Sequence, residues 1–275
     1  VLTLANDTVG TGPRLQMLTP DNDLNRRIEQ EFQLWSQAVR LAEKLRTLRM
    51  ARAQDGEAFG LMVRNPVVDH PVGLDLRLIE ADQVTAPWGT RGGIVDETDG
   101  IYLDDFGNPV AYSVLPAHPG GSRLFTKADA EMLPAWAVVH YFRPERPGQH
   151  RGVPEITSAL PLFAQLRRFT LAVIGAAEAA ANFSGILYTD APANGEADEV
   201  EPLDRIELHR NMLLTMPGGW KMDQVDPKQP ATTYAEFKKE ILNEIARCLN
   251  MPFNIAAGNS SGYNYASGRL DHQTY

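Results

Sequence analysis

One cysteine, Cys248, stands among 275 residues, so no internal disulfide can form and no redox pair or cysteine-based zinc framework can be assembled. A lone thiol suits a reducing cytosol. The six histidines are scattered singly, with no helical HxxxH pair and no cysteine nearby, so metal-ligand spacing is missing. Long hydrophobic runs are also lacking. The longest apolar stretch, 171–181, is alanine-rich, carries Glu178 and falls short of the roughly 20 residues that a bilayer-spanning helix needs. Positive charge is in deficit, 26 Lys and Arg against 35 Asp and Glu, for a net charge of −9. That argues against non-specific gripping of nucleic acid, which depends on cations neutralising phosphates. It is compatible with a conduit past which a polyanion must slide. No internal repeat is visible. The opening Val1 to Asp7 lacks an initiator Met, a basic n-region and a cleavage site, and the closing Arg269 to Tyr275 lacks a helix-ending Gly or Pro. Both ends predict an excised fragment.

Composition is otherwise ordinary for a folded chain, 43% hydrophobic and 22% charged, and the length allows one large domain or two smaller ones. Leu24, Ile28, Phe32, Trp35, Val39, Ala42, Leu45 and Leu48 recur at helical spacing and predict one amphipathic helix over 24–53, with Asp21 to Asp23 as caps and Gly56 beyond its end. Short apolar runs then predict strands over 57–64, 74–80, 100–103, 110–115 and 137–142, with a turn at 106–109. A Pro/Gly/Arg-rich connector at 143–152 marks the domain boundary. After it, Pro154 opens a predicted long helix to about 182, bent at Pro161, whose second half is apolar on nearly every face and needs cover on several sides. Strands at 184–189 and 212–216 enclose an acidic stretch. Thr233 with Glu236 predicts a capping box for a helix bearing Phe237, Ile241, Ile245 and Leu249, ended by Asn250 and Pro252, and 257–268 reads as a loop. The fold class is therefore α+β.

Candidate chemistry is thin. Asp105-Phe106-Gly107 matches a kinase tripeptide without the companion motifs, and a hairpin turn is the preferred reading. The loop Gly258 to Gly262 lacks the Lys-Ser/Thr of a phosphate cradle. Asp96 to Gly100 lacks the closing Glu of a calcium loop and reads as a solvated turn. Cys248, beside Ile241, Ile245 and Leu249, reads as a buried apolar filler. Asp104 with Asp105, and Glu199 with Glu201, read as surface acids. Arg143, Arg146, Arg151, Arg167 and Arg168 gather near the connector, and pairing with a neighbour's carboxylates is preferred to phosphate binding. No cofactor or metal is expected, and the chain is read as non-enzymatic. Two alternatives stay open: a hydrolase using Asp104 or Cys248, which requires a pocket of convergent titratable groups, and a DNA-binding module, which requires a continuous basic face.

Several segments, in order, resemble the portal proteins of lambda-type tailed phages. Arg146-Pro147-Gly148-Gln149-His150-Arg151-Gly152-Val153-Pro154 is similar to that family's RPGQxRGVP signature. Around it stand Asp55 to Phe59, Leu78 to Asp82, Gly107 to Tyr112, Glu244 to Phe253 and Asn264 to Arg269. In the last of these, Ala266-Ser267-Gly268 departs from the family's usual Ser-Ala before Arg. The resemblance implies a homo-oligomeric ring, a dodecamer, at one capsid vertex of a virion or prophage-derived particle assembled in the host bacterial cytoplasm. It also implies passage of double-stranded DNA and docking of the terminase large subunit, capsid or scaffold and head-completion proteins, with no membrane partner. On that pattern 1–149 is a wing-like domain of helices and a β-meander. Residues 150–275 hold stem helices with a small clip-like β insert at about 184–230 and the start of a further helix, and the N-terminal arm and C-terminal crown are absent. Arg151, Arg167, Arg168, Ala176 and Ala180 are then the candidate subunit interface. Asn254, Asn259, Ser260 and Tyr263, within 251–263, are the candidate DNA-facing loop.

Overall fold

The computed structural model describes residues 1–86, 96–121, 129–182, 186–189, 219–223 and 231–275. The chain forms two compact units, Val1–Leu160 with Ala246–Tyr275, and Pro161–Ile245.

In the first unit, α1 (Leu2–Val9), α2 (Asn22–Ala38) and α3 (Leu41–Asp55) precede the sheets. The continuous helix predicted over 24–53 is broken. Arg40 adopts a left-handed conformation at φ 55°, although neither Gly nor Pro announces it. Tertiary anchoring explains the break. Trp35 Nε1 donates to Leu74 O at 2.8 Å, and Lys44 pairs with Asp75, so both helices are tied to one end of β2 (Leu74–Ile79). On a straight helix those two side chains would leave the axis about 13 Å apart. Asp21 caps α2 as expected, accepting from Asp23 and Leu24 N–H groups at 3.0 Å.

Gly56 closes α3 at φ 93°, its N–H donating to Arg52 O, and the chain passes directly into β1 (Glu57–Arg64). β1 is the centre of an antiparallel sheet of order β2-β1-β7, with β7 spanning Val138–Phe142. A second antiparallel sheet has the order β3-β4-β5-β6, formed by Asp96–Thr98, Ile101–Leu103, Pro109–Val114 and Glu131–Pro134. β3 corrects the expected solvated turn at 96–100, because Asp96 to Thr98 pair with Leu103 to Ile101 and only Asp99 and Gly100 turn. β6 had no clear sequence signal, being four residues long and ending in Pro. The two sheets share one core. Phe59, Leu61 and Val138 of the first pack with Ile101, Leu103, Tyr112 and Val114 of the second, and Val84, in the segment that follows β2, forms an isolated bridge to Val114.

The helix expected from Pro154 starts later. The connector continues through a turn and a 3-10 stretch, Thr157–Ala159, and α4 spans Leu160–Asn182. Pro161 therefore sits in the first turn, where its missing N–H costs no helical bond, and is not a kink. In the second unit, Phe169 of α4 packs on Phe237 (centroids 4.1 Å apart) and Tyr234 (5.8 Å) of α5 (Ala231–Cys248). α5 begins at Ala231, so Thr233 lies inside the helix and not at its start, where the capping box placed it. β8 (Ile186–Thr189) pairs antiparallel with β9 (Trp220–Asp223), a strand the sequence reading missed, while the strand expected at 212–216 lies outside the described residues.

Back in the first unit, Cys248 is half-buried, less enclosed than expected. The segment read as one loop over 257–268 contains structure at both ends. α6 (Phe253–Ala257) closes on Gly258, and α7 (Tyr265–Thr274) is capped by Asn264, which accepts from the Ser267 N–H at 2.8 Å.

Candidate functional site: the clamp on the connector

The most elaborate polar constellation among the described residues surrounds the connector. Glu57, the first residue of β1, is buried, with 4% of its side chain exposed. Its Oε1 accepts from Arg151 Nε at 2.6 Å, and its Oε2 accepts from His140 Nε2 at 2.9 Å and from the Gly152 N–H at 2.8 Å. His140, the cross-strand partner of Phe59, lies between the Phe59 ring (4.2 Å) and the Phe142 ring (4.3 Å), both nearly parallel to it, with Tyr112 edge-on at 5.9 Å. The stack fixes the imidazole so that Nε2 points its proton at the carboxylate.

Arg151 uses the rest of its guanidinium on its own chain. Nη1 donates to Asp99 O at 2.6 Å, Asp99 Oδ2 at 3.0 Å and Val84 O at 3.2 Å, and Nη2 donates to Ala81 O at 3.2 Å. One residue therefore ties the connector to β1, to the turn before β4 and to the 81–84 segment. Lysine could not span these directions, because only the planar guanidinium fork presents several donors in fixed geometry.

Backbone contact completes the joint. A Cβ on Gly152 would lie 2.2 Å from Gly56 O, and one on Gly56 would lie 2.6 Å from Val153 C. Both positions exclude a side chain because two backbones touch there. Gly152→Ala is expected to cost about 3 kcal/mol, at the upper end for overpacking, and thermal unfolding followed by circular dichroism measures it. A melting temperature unchanged from the parent would contradict this account of the joint.

Beyond Pro154 the connector is held a second time. Glu155 accepts from Arg49 Nη2 at 2.9 Å and from Arg52 Nε at 2.9 Å, and Arg52 also lies over the Tyr141 ring at 4.8 Å. The chain from Arg151 to Ile156 is thereby fastened to the corner between α3 and β1.

Burial by itself pushes the Glu57 carboxyl up, but hydrogen bonds from His140, Gly152 and Arg151 together outweigh it and hold the group below its ordinary 4.5. Asp75 behaves likewise: burial raises it, and bonds from Lys44, Asn65 and Leu76 lower it overall. A carboxylate whose folded value is depressed stabilises the fold above its unfolded pKa, and that contribution is lost as pH falls through the folded value. Stability is therefore expected to drop on acidification below about pH 4.5. Glu57→Gln should be less stable at pH 7 and should show a shallower acid limb, measured by melting temperature from pH 7 to pH 3. An acid limb as steep as the parent's would remove Glu57 from this explanation.

Of the residues singled out in the sequence, Arg151 has its guanidinium engaged within the chain. Arg167, Arg168 and Ala176 lie exposed on α4, and neither arginine makes an ion pair among the described residues. Ala180 belongs to α4 but its side chain lies outside the described residues. Asn254 is buried at 4% exposure, its Oδ1 accepting from the Ile255 N–H and its carbonyl from the Asn259 N–H at 3.0 Å. Asn259 and Ser260 are exposed and Tyr263 is half-buried. Arg143 pairs with Glu145, Nε to Oε1 at 3.0 Å. Asp104 is committed to its turn: hydrogen bonds from Asn108 lead in holding its carboxyl below the usual range. No cluster of three or more His, Cys, Asp or Glu that could hold a metal occurs among the described residues, and no described helix is long and apolar enough to cross a membrane. Sequence reasoning missed Glu57, His140 and Glu155, whose only local signal was a charged residue beside an apolar run.

Fold and clamp together define an α+β scaffold whose buried polar cluster positions a chain segment. The family model for lambda-family phage portal proteins matches residues 1–274, and the chain belongs to that family. A "Probable portal protein" of Halomonas phage phiHAP-1 is 26% identical over 278 residues, covering 93% of this chain and 52% of that protein. The chain thus spans about half the length of the curated relative it matches. Among solved structures, a chain from the neck of an empty gene transfer agent particle shares the fold at a TM-score of 0.55 and 16% identity, over 97% of this chain and 68% of that one. An HK97 family phage portal protein from Corynebacterium diphtheriae aligns at a TM-score of 0.40 and 13% identity, over 85% of this chain and 66% of that one.

Proposed function

We propose that this chain is the body of a portal subunit, one copy of a homo-oligomeric ring, a dodecamer, at a capsid vertex, through which double-stranded DNA is packaged and ejected. The subunit has no catalytic role of its own. The terminase large subunit docks on the ring as motor, capsid or scaffold and head-completion proteins bind its outer surfaces, and assembly occurs in the host bacterial cytoplasm. Wing, stem and clip correspond to 1–149, 150–275 and the insert at about 184–230. Asn259 and Ser260, exposed between α6 and α7, are then the members of the 251–263 loop that face DNA.

Family membership aside, the observation that carries this reading is the second apolar face of α4. Leu162, Leu166, Phe169 and Val173 are half-buried along one side. Leu160, Phe163, Leu171 and Ile174 recur at helical spacing elsewhere on the helix and are 52%, 44%, 57% and 48% exposed. Apolar area left open along a helix of 23 residues is what a neighbouring copy would cover. Arg167 and Arg168, on the same helix, offer cations for a neighbour's carboxylates.

Electron microscopy of the full-length protein tests the proposal. A closed ring with α4 at the subunit contacts is the expected image. A stable monomer under conditions that assemble related portals would overturn it.

A further inference from the structure

α5 carries a row of like charge along one edge. Glu236, Glu240 and Glu244 follow one another at four-residue spacing, so they share one side of the helix, and all three are exposed. None makes a hydrogen bond or ion pair among the described residues. Like charges at that spacing weaken a helix, and the cost is relieved when cations come to lie beside them. Lys238 does not serve, because it lies on another face of α5, over the Tyr234 ring at 6.0 Å.

α4 carries the opposite sign. Arg167 and Arg168 are exposed and unpaired among the described residues, and Arg167 stands four residues from both Phe163 and Leu171, in the open apolar row. The same neighbour that covers that row therefore meets the guanidinium. Both helices belong to one compact unit, and a single contact fixes their relative height. Phe169 packs on Phe237 with centroids 4.1 Å apart, so Arg167, Arg168, Glu236 and Glu240 all lie within about 5 Å of that level along the pair. Within the subunit these four make no ion pair with one another.

We propose that in the assembled ring Arg167 and Arg168 of one copy pair with Glu236 and Glu240 of the next. A neighbour related by rotation about an axis running along the helix pair arrives at the same height, so the cations of α4 face the carboxylates of α5 with no shift along the axis. The two patches are different, so the contact is head-to-tail and propagates around a ring, as an isologous contact cannot. Opposite sign also steers the approach and disfavours α4 meeting α4, where like charges would be opposed. The inference rests on the ring reading and names the surface that the open face of α4 meets.

The test uses full-length protein at low salt, with the ring fraction read by native mass spectrometry. Arg167→Glu with Arg168→Glu makes one variant, and Glu236→Arg with Glu240→Arg makes the other. Each alone is expected to lower the ring fraction at least about tenfold, because reversal adds repulsion where truncation only removes an attraction. All four positions are exposed, so the circular dichroism spectrum of the subunit should match the parent's. Mixed in equal amounts, the two variants are expected to recover rings of alternating subunits, which requires a contact between unlike patches of different copies. Rings formed by either variant alone at the parent level, or a mixture that stays monomeric, would overturn the pairing while the parent's rings stand. Failure of the parent protein to form rings would overturn both.

Discussion

Leu171→Asp combined with Ile174→Asp is expected to abolish ring assembly, shifting native mass spectra from the ring to the monomer by a factor of about 100 or more, the scale of losing anchors at the centre of an interface. The chain should still fold. Both side chains are about half exposed in the isolated subunit, so aspartate there desolvates nothing until a neighbour arrives. Once the neighbour packs, each carboxylate would be buried without a partner, and that penalty exceeds the apolar contact it replaces. Ala176→Glu should act in the same direction, because Ala176 is exposed on the same helix and bulk there separates neighbours. Arg167→Ala should weaken assembly much less, since a rim ion pair in water contributes about 1 kcal/mol at most. Assembly of the double aspartate variant at the parent level would remove α4 from the interface.

Arg151→Met is expected to have the largest effect on folding, about 3–5 kcal/mol, the cost of stranding a buried charge. For a chain of this size that is a fall of roughly 10 °C or more in melting temperature. Glu57 would keep His140 and the Gly152 N–H but lose its permanent cation, and Asp99, Val84 and Ala81 would lose their shared donor. Adding Glu57→Gln to Arg151→Met should cost less than the sum of the separate changes, because the second removes the charge stranded by the first. Additive effects in that double-mutant cycle would mean that the two residues do not act as one unit.

The strands over 57–64 and 110–115 were legible because apolar runs bounded by turn residues report a buried sheet directly. The connector was legible because its Pro, Gly and Arg density interrupts every periodic pattern. Neither β3 nor β6 was legible: short strands at a margin take their conformation from a partner that comes from elsewhere in the chain. The α2–α3 break was hidden for the same reason, since Arg40 turns left-handed under the pull of anchors on β2.

The sequence by itself determined the α+β class, the extra apolar faces of α4 and the place of the connector, because composition, period and turn chemistry act locally. Only the tertiary structure decided that Glu57, His140, Asp99 and Arg151 meet. Those residues lie up to 94 positions apart, and no local preference of the backbone encodes a contact of that span. It follows from β1 pairing with β7 and from the backbone contact between Gly56 and Gly152, and both exist only once the sheets have closed on their shared core.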